Sequence, residues 1–315
     1  MRYGGFMIDM DGTVYKGGDL IPGAVEFISA LKSRGIPFVF LTNNSSATRS
    51  HYYGKLRRMG FDVGIENVLT SAMAAARFVI DERPGKRVYV LASEEVRDEM
   101  RSVGVDVVED DPDIVLLTFD RTITYEKINK AYRYLCGGAE FIATHPDDLC
   151  PTEDSYDIDI GPFIRMFEQM CQTSAIVIGK PNASMLLMAA SHMGVDPSAT
   201  VMVGDRLYTD IEMAVRAGIG SILVLSGETS REQLEASGMH PTHVLGSVAE
   251  IPELLERAII STCARHSDVC RYKPFMALKG AFPVRIPFPL LFIYKGRVIL
   301  SNVRIYVRVG CNETV

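Results

Sequence analysis

Phe6-Met7-Ile8-Asp9-Met10-Asp11-Gly12-Thr13 is an apolar run that stops in two carboxylates, a glycine and a hydroxyl. Phe6 to Ile8 is short, apolar and partly β-branched, which predicts a buried strand, and the Asp-Gly that follows is a turn signal that ends it. Both acids therefore stand at a strand's carboxyl end, the rim where open α/β sheets bind ligands. Two aspartates at this spacing on an extended chain point the same way, and like charges that close are costly without a cation. A hard divalent ion such as Mg2+ would relieve the repulsion. Taken alone, these residues fit a solvated strand-to-loop turn equally well, so the rest of the chain has to decide.

Working outward, residues 22–34 put Val25, Ile28 and Leu31 at helical spacing before Gly35, and residues 37–41 read as the next strand. A β, turn, helix, β opening predicts a parallel sheet. The second strand ends in Thr42-Asn43-Asn44-Ser45-Ser46. Its hydroxyls and amides can donate to a phosphate oxygen, or simply cap the helix expected over 51–59. A strand at 68–70 and an Ala-rich helix at 71–80 follow.

Then the pattern restarts. Strands at 86–91, 105–108, 114–118 and 140–144 alternate with helices at 93–102 and 125–135, beyond the breaker Asp81-Glu82-Arg83-Pro84-Gly85. We read this series as an inserted domain, 81–173, dividing a catalytic core made of 1–80 and 174–256. In the second part of the core, a strand at 175–178 leads into Gly179-Lys180-Pro181-Asn182, and one at 200–203 ends in Gly204-Asp205-Arg206-Leu207-Tyr208-Thr209-Asp210. Helices at 183–193, 210–217 and 231–237 and a strand at 221–225 complete it. No repeat of solenoid period is present.

Composition sets bounds. The chain has 315 residues, 47% hydrophobic and 23% charged, as expected of an ordinary globular protein of two domains. Of its 33 Lys/Arg and 39 Asp/Glu, ten and two respectively fall in 257–315, so the body is acidic and the tail basic. The body has no basic stripe, which argues against nucleic acid as a partner. The six cysteines form neither CxxC pairs nor a regular frame, which argues against zinc and against a disulfide scaffold. No basic-then-apolar leader and no apolar stretch near ~20 residues are present, so neither a signal peptide nor a membrane partner is expected, and the expected location is cytoplasmic. A homo-oligomeric assembly is left open.

Strand ends thus carry Asp9/Asp11, Thr42/Asn43, Lys180 and Asp205/Asp210, and right-handed crossovers bring the carboxyl ends of parallel strands to one edge. This ordered set resembles the haloacid dehalogenase (HAD) superfamily, whose motifs are DxD(G)T, a strand-terminal Thr/Ser, a Lys and a GDxxxxD-type acidic pair. The insertion between the second and third motifs resembles the large α/β (C2-type) cap of subclass IIA. Leu41-Thr42-Asn43-Asn44-Ser45, Gly179-Lys180-Pro181 and Gly204-Asp205-Arg206-Leu207-Tyr208-Thr209-Asp210-Ile211 resemble its nitrophenylphosphatases and nucleotide and sugar phosphatases. The likeness covers 1 to about 256 and implies an α/β protein with a Rossmann-like parallel-sheet core and an inserted α/β cap.

It also implies an Mg2+-dependent phosphomonoester hydrolase acting on a small phosphorylated metabolite. Asp9 would attack phosphorus to form an aspartyl phosphate, and Asp11 would protonate the leaving oxygen and then deprotonate water. Asp9, the Asp11 carbonyl and Asp205 would hold the metal. Thr42, the Asn43 backbone N–H and Lys180 would grip the phosphoryl oxygens. Asp210 would orient Lys180 or a metal-bound water, and Thr13 would hydrogen-bond near Asp11, with Gly12 and Gly204 supporting the turns. A phosphosugar mutase and a receiver-type phosphoacceptor are the alternatives, although a receiver has no domain between its Thr and its Lys.

Substrate choice should come from the cap, because the core grips only the phosphate common to all substrates. The candidate segment is 145–161, with His145, Asp147 and the acids Glu153, Asp154, Asp157 and Asp159 offered to sugar hydroxyls or a cationic leaving group. The competing readings are an exposed loop histidine and a solvated acidic loop. Where relatives carry Pro-Gly-x-Gly, this chain has Ile158-Asp159-Ile160-Gly161-Pro162, which weakens transfer of their specificity. In the tail, 288–293 and 303–309 read as strands, with Tyr294-Lys295-Gly296-Arg297 as a turn between them.

Overall fold

Phe6 and Ile8 face one way and Met7 the other, and the two faces nucleate two cores. Phe6 and Ile8 pack with Phe27, Ile28, Leu31, Phe40 and Leu56, whereas Met7 packs with Val39, Leu41, Ala75, Leu186 and Ala189. A strand buried on both sides needs helices on both sides, as in a doubly wound sheet. The computed structural model, which describes residues 3–152, 155–256, 290–294 and 297–301, has this architecture. Its main sheet is six-stranded and parallel, in the order His243–Leu245, Gly220–Val224, Thr200–Gly204, Gly5–Asp9, Phe38–Thr42, Val68–Thr70.

The chain starts in the middle at Gly5–Asp9, winds outward to Val68–Thr70, and returns to Thr200–Gly204 on the other flank of the first strand. Ligands bind where winding reverses in this way. Asp9 ends one of the two strands at that point, and Asp205 directly follows the other.

Between the two halves lies a second sheet of five parallel strands, in the order Ile176–Val177, Glu140–Ala143, Ile114–Leu117, Arg87–Leu91, Asp106–Val107. This is the inserted α/β region read from the sequence, and it is what the receiver alternative lacks. One of its faces buries Tyr89, Leu91, Val115 and Phe141 beneath the helices Tyr125–Cys136 and Gly161–Cys171. The other face joins the core that contains Met7.

One detail differs from the sequence reading. Ile176–Val177 pairs with Glu140–Ala143 of the second sheet rather than with the main sheet, so the second sheet runs past residue 173. Lys180 therefore enters the site on the return from the second sheet, not at the end of a main-sheet strand.

A short hairpin, Tyr15–Lys16 against Asp19–Leu20, follows the first motif and gave no periodic signal because each arm has only two residues. In a separate unit of the chain, Leu290–Tyr294 pairs antiparallel with Arg297–Ser301. Residues 290–293 of the expected first strand lie in this hairpin, whereas residues 295–296 of the expected turn lie outside the described residues. The partner strand, Arg297–Ser301, was not read from the sequence, and the expected strand at 303–309 lies outside the described residues. Among the described residues, no helix is long and apolar enough to cross a membrane.

Candidate active site

The first strand delivers Asp9 to the switch point and the chain then turns sharply at Gly12. Gly12 has φ +84°, and a Cβ there would overlap the Asp205 carboxylate. Only glycine meets both demands. Gly204 similarly lets the Asp210 carboxylate fold back against the strand end. Asp9, Asp205 and Asp210 are all buried, and one carboxylate oxygen of each lies within 4.8 Å of the others.

Three carboxylates at this separation need positive charge. Lys180, 2% exposed, supplies part of it: its Nζ bonds Asp210 Oδ1 at 2.7 Å and also Asp9 Oδ1. Burial works against the ammonium, yet Asp210 and Asp9 outweigh it and hold its pKa above the ordinary lysine value. Asp205 is raised far above the usual carboxylate range, by burial first and then by the charges of Asp9 and Asp210. Asp210 is also raised by burial, against the pull of Lys180. The cluster is thus short of positive charge, and its three hard oxygen donors could hold a divalent metal ion.

Asp11 is the exposed member of the first pair. Loss of hydration, then the neighbouring Asp9 charge, raises its carboxyl, while Lys55 and Arg206 pull the other way. Thr13 departs from expectation: its hydroxyl donates to Asp205 Oδ1 at 3.3 Å rather than bonding near Asp11. The turn at Gly12 carries it across to the neighbouring strand end.

The cluster 42–46 does not cap the following helix. Thr48 does so, accepting from the His51 N–H, so the earlier residues are available to the site. Thr42 Oγ1 accepts from Asn44 N at 3.1 Å, which leaves its own proton to donate. The Asn43 side chain clamps the Lys180 peptide: Oδ1 accepts from Lys180 N at 2.8 Å and Nδ2 donates to Lys180 O at 2.9 Å. Nδ2 also reaches Asp147 at 3.2 Å, tying the loop 42–46 to the second-sheet region. The Asn43 backbone was singled out from the sequence; this side-chain function was not.

Leu207–Ile211 is a π-helical turn preceding the helix Glu212–Ala217, where the sequence reading began a plain helix at 210. The wider turn lets Asp210 Oδ2 accept from Arg206 N at 3.2 Å while its other oxygen holds Lys180. Such local widening recurs at functional sites.

Asp9, Asp11, Thr42, Asn43, Lys180 and Arg206 line one cleft with Asp147, Leu149, Cys150, Pro151 and Asp159 from the second-sheet region. Arg206 escaped the sequence reading, although it directly follows Asp205. Its guanidinium pairs with Glu228 at 2.9 Å and lies 4.0 Å from Asp147. Burial opposes its charge, but Asp9 first among its neighbours keeps its pKa raised.

The cap candidates divide. Asp147 is buried in the cleft, and desolvation raises its carboxyl. His145 is fully buried rather than exposed, with Nε2 2.8 Å from Asp159 Oδ1 and Nδ1 3.0 Å from Thr144 Oγ1. That chain continues through Thr144 Oγ1 to Ser45 Oγ at 2.9 Å, and Ser45 accepts from Phe119 N at 2.8 Å. Asp157 is exposed, paired with Arg121, and absent from the cleft lining. Asp154 and Glu153 lie outside the described residues. Asp159, placed in the acidic run, is the member that reaches the cleft.

The switch-point aspartate, the lysine bridging two acids, the hydroxyl–amide loop and the intervening second sheet together define an α/β hydrolase built to handle a phosphoryl group. The comparisons agree. Residues 6–106 match the haloacid dehalogenase-like hydrolase family and 177–251 a HAD-hydrolase-like family. The chain is 35% identical over 248 residues to the 5′-nucleotidase YutF of Bacillus subtilis, covering 79% of this chain and 97% of that one. It is 34% identical over 258 residues to an acid sugar phosphatase of Staphylococcus saprophyticus, covering 81% and 99%. The crystal structure of a 4-nitrophenylphosphatase from Thermotoga maritima superposes with a TM-score of 0.77 at 38% identity, covering 80% and 97%. The chain belongs to the haloacid dehalogenase-like hydrolases, and within them it is a phosphatase with an inserted cap.

Proposed function

We propose that this chain hydrolyses small phosphomonoesters, sugar phosphates or nucleoside monophosphates, through an aspartyl phosphate on Asp9, with Mg2+ as its cofactor. The observation that carries the reading is the buried Asp9–Lys180–Asp210 bridge beside Asp205 at the sheet's switch point, opening onto Thr42 and Asp11. Asp9 attacks phosphorus as the ester oxygen departs. Asp11, whose raised carboxyl favours the protonated form, gives its proton to that oxygen. The Asp11 carboxylate left behind then takes a proton from the water that cleaves the acyl phosphate, restoring Asp9.

Lys180, the Thr42 hydroxyl and the Asn43 N–H neutralise and orient the phosphoryl oxygens. The Asn43 side chain keeps Lys180 in place, and Asp210 aims its ammonium. Asp9, the Asp11 carbonyl and Asp205 would hold Mg2+, which when bound offsets the repulsion between the phosphate dianion and the Asp9 carboxylate. The fit is electrostatic: the clustered carboxylates of Asp9, Asp205 and Asp210 have the Lys180 ammonium between two of them, and the neighbouring Arg206 is already shared with Glu228.

The names of the relatives above favour a sugar phosphate or nucleoside monophosphate, and the carboxylates of Asp147 and Asp159 suit a leaving group rich in hydroxyls. The test is phosphate release from p-nitrophenyl phosphate and from a panel of sugar phosphates, nucleoside monophosphates and phosphoglycolate. Asp9→Asn should lower turnover by at least about a thousandfold, and EDTA should abolish activity that added Mg2+ restores. Undiminished turnover in Asp9→Asn would sink the covalent step; full activity in EDTA would sink the metal.

A further inference from the structure

Two cysteines that the phosphatase reaction does not use meet on the cap. Cys136 is the last residue of the helix Tyr125–Cys136 and Cys171 the last of Gly161–Cys171, and their sulfurs lie 2.9 Å apart. A disulfide bond is about 2.04 Å long, so the two atoms need only a short approach to bond. The helices that carry them are fixed by packing. Ala131 and Leu135 of one, and Ile164 and Phe167 of the other, share a single buried cluster over Phe141. Cys171 also lies against that cluster, its thiol directed at the Tyr132 carbonyl at 3.6 Å.

We propose that Cys136 and Cys171 are a reversible dithiol–disulfide pair, oxidised by low-molecular-weight disulfides, that staples the two cap helices. Cys136 is exposed and meets the oxidant first, whereas Cys171 is half-buried. The Cys136 thiolate attacks one sulfur of the small disulfide, forming a mixed disulfide and expelling one small thiolate. The Cys171 thiolate then attacks Cys136 Sγ, closing the protein disulfide and expelling the second. The protein loses two electrons and two protons; the small disulfide becomes two small thiols that carry those protons.

The pair is separated by 35 positions in sequence. The segment between them contains Asp147 and Asp159, so the staple closes a loop around cap residues that reach the cleft. A cross-link across a loop of that length restricts the unfolded chain substantially. The scattered cysteine spacing gave no hint of this, because the partners are joined by packing of helices rather than by a local motif.

The experiment treats the full chain with glutathione disulfide or with a phosphine reductant, followed by non-reducing peptide mapping and thermal melting. The expected result is one cross-linked peptide pair, Cys136–Cys171, with a mass loss of about 2 Da. Cys150 should remain a thiol, since its sulfur meets the Asn44 amide and the Pro151 carbonyl rather than another of the described cysteines. Melting should rise by about 5–10 °C on oxidation and return on reduction. Cys136→Ser and Cys171→Ser should keep basal phosphatase activity and lose the redox-dependent shift. Stable glutathione adducts on Cys136 without the cross-link, or comparable yields of bonds to other cysteines, would overturn the pairing. Full cross-linking with unchanged melting would overturn the staple.

Discussion

Asp210 separates two ways of using an acidic cluster, and Asp210→Asn tests which one operates. If Asp210 orients Lys180, the substitution acts on the ammonium. If it binds metal directly, it acts on metal affinity. In the structure Asp210 Oδ1 holds Lys180 Nζ at 2.7 Å and Oδ2 accepts from Arg206 N at 3.2 Å. An asparagine can keep an oxygen toward only one of them. Exchanging a charged for a neutral acceptor at Lys180 costs about 1–2 kcal/mol, and facing the half-buried Arg206 N–H with an NH2 adds about 1 kcal/mol. A total near 2–3 kcal/mol corresponds to a fall in kcat of about 30- to 150-fold. The assay is steady-state phosphate release across a Mg2+ titration, with Asp205→Asn in parallel. Asp205→Asn should move the half-saturating Mg2+ concentration upward by an order of magnitude or more (roughly, for loss of one charged ligand), whereas Asp210→Asn should leave it within about threefold. Equal shifts in both variants would refute the division of labour.

Three further expectations follow from the same geometry. Gly12→Ala combines a residue at φ +84° with a methyl pressed on the Asp205 carboxylate, so a folded product should lose at least about tenfold in activity with a lowered Tm; wild-type behaviour in both readouts would count against the tight turn. His145→Ala removes the ring between Thr144 and Asp159 and should cost about 2–3 kcal/mol, seen as a Tm lower by about 5–10 °C. Asp157→Ala should leave the ranking of a phosphomonoester panel unchanged, while Asp159→Asn should reorder it, because of the two only Asp159 lines the cleft; the opposite pattern would place specificity on the exposed segment that carries Asp157.

The parts of this fold that were legible in the sequence are those set by local periodicity. Alternation of Phe6, Met7 and Ile8, the helical spacing of Val25, Ile28 and Leu31, and the acids and hydroxyls at strand ends all follow from the dihedral preferences and hydrophobic pattern of a few consecutive residues. Most strands of the main sheet and of the inserted one could be read from such signals, but His243–Leu245, at the main sheet's edge, was not. Ile176–Val177 was misplaced because two paired residues carry no information about which sheet they join. The π-helical turn at Leu207–Ile211 was missed, with a plain helix read from 210, since the extra residue serves Asp210's two bonds rather than any propensity.

The site adds a second kind of information, which no local window contains. Asn43 and Lys180 are 137 residues apart, Asn43 and Asp147 are 104 apart, and the Ser45–Thr144 bond spans 99. Each joins the loop after the second main-sheet strand to a segment of, or returning from, the inserted sheet. One amide, Asn43, thereby satisfies the backbone of Lys180 and the buried acid Asp147 at once. A buried amide has few ways to meet its full hydrogen-bonding capacity, so this arrangement fixes the loop, the lysine and the cap segment relative to one another. The consequence is that cap and chemistry are not independent modules here: a change at Asp147 that unbalances Asn43 reaches Lys180 through two bonds, and substitutions chosen to alter specificity at that position should alter kcat as well as KM.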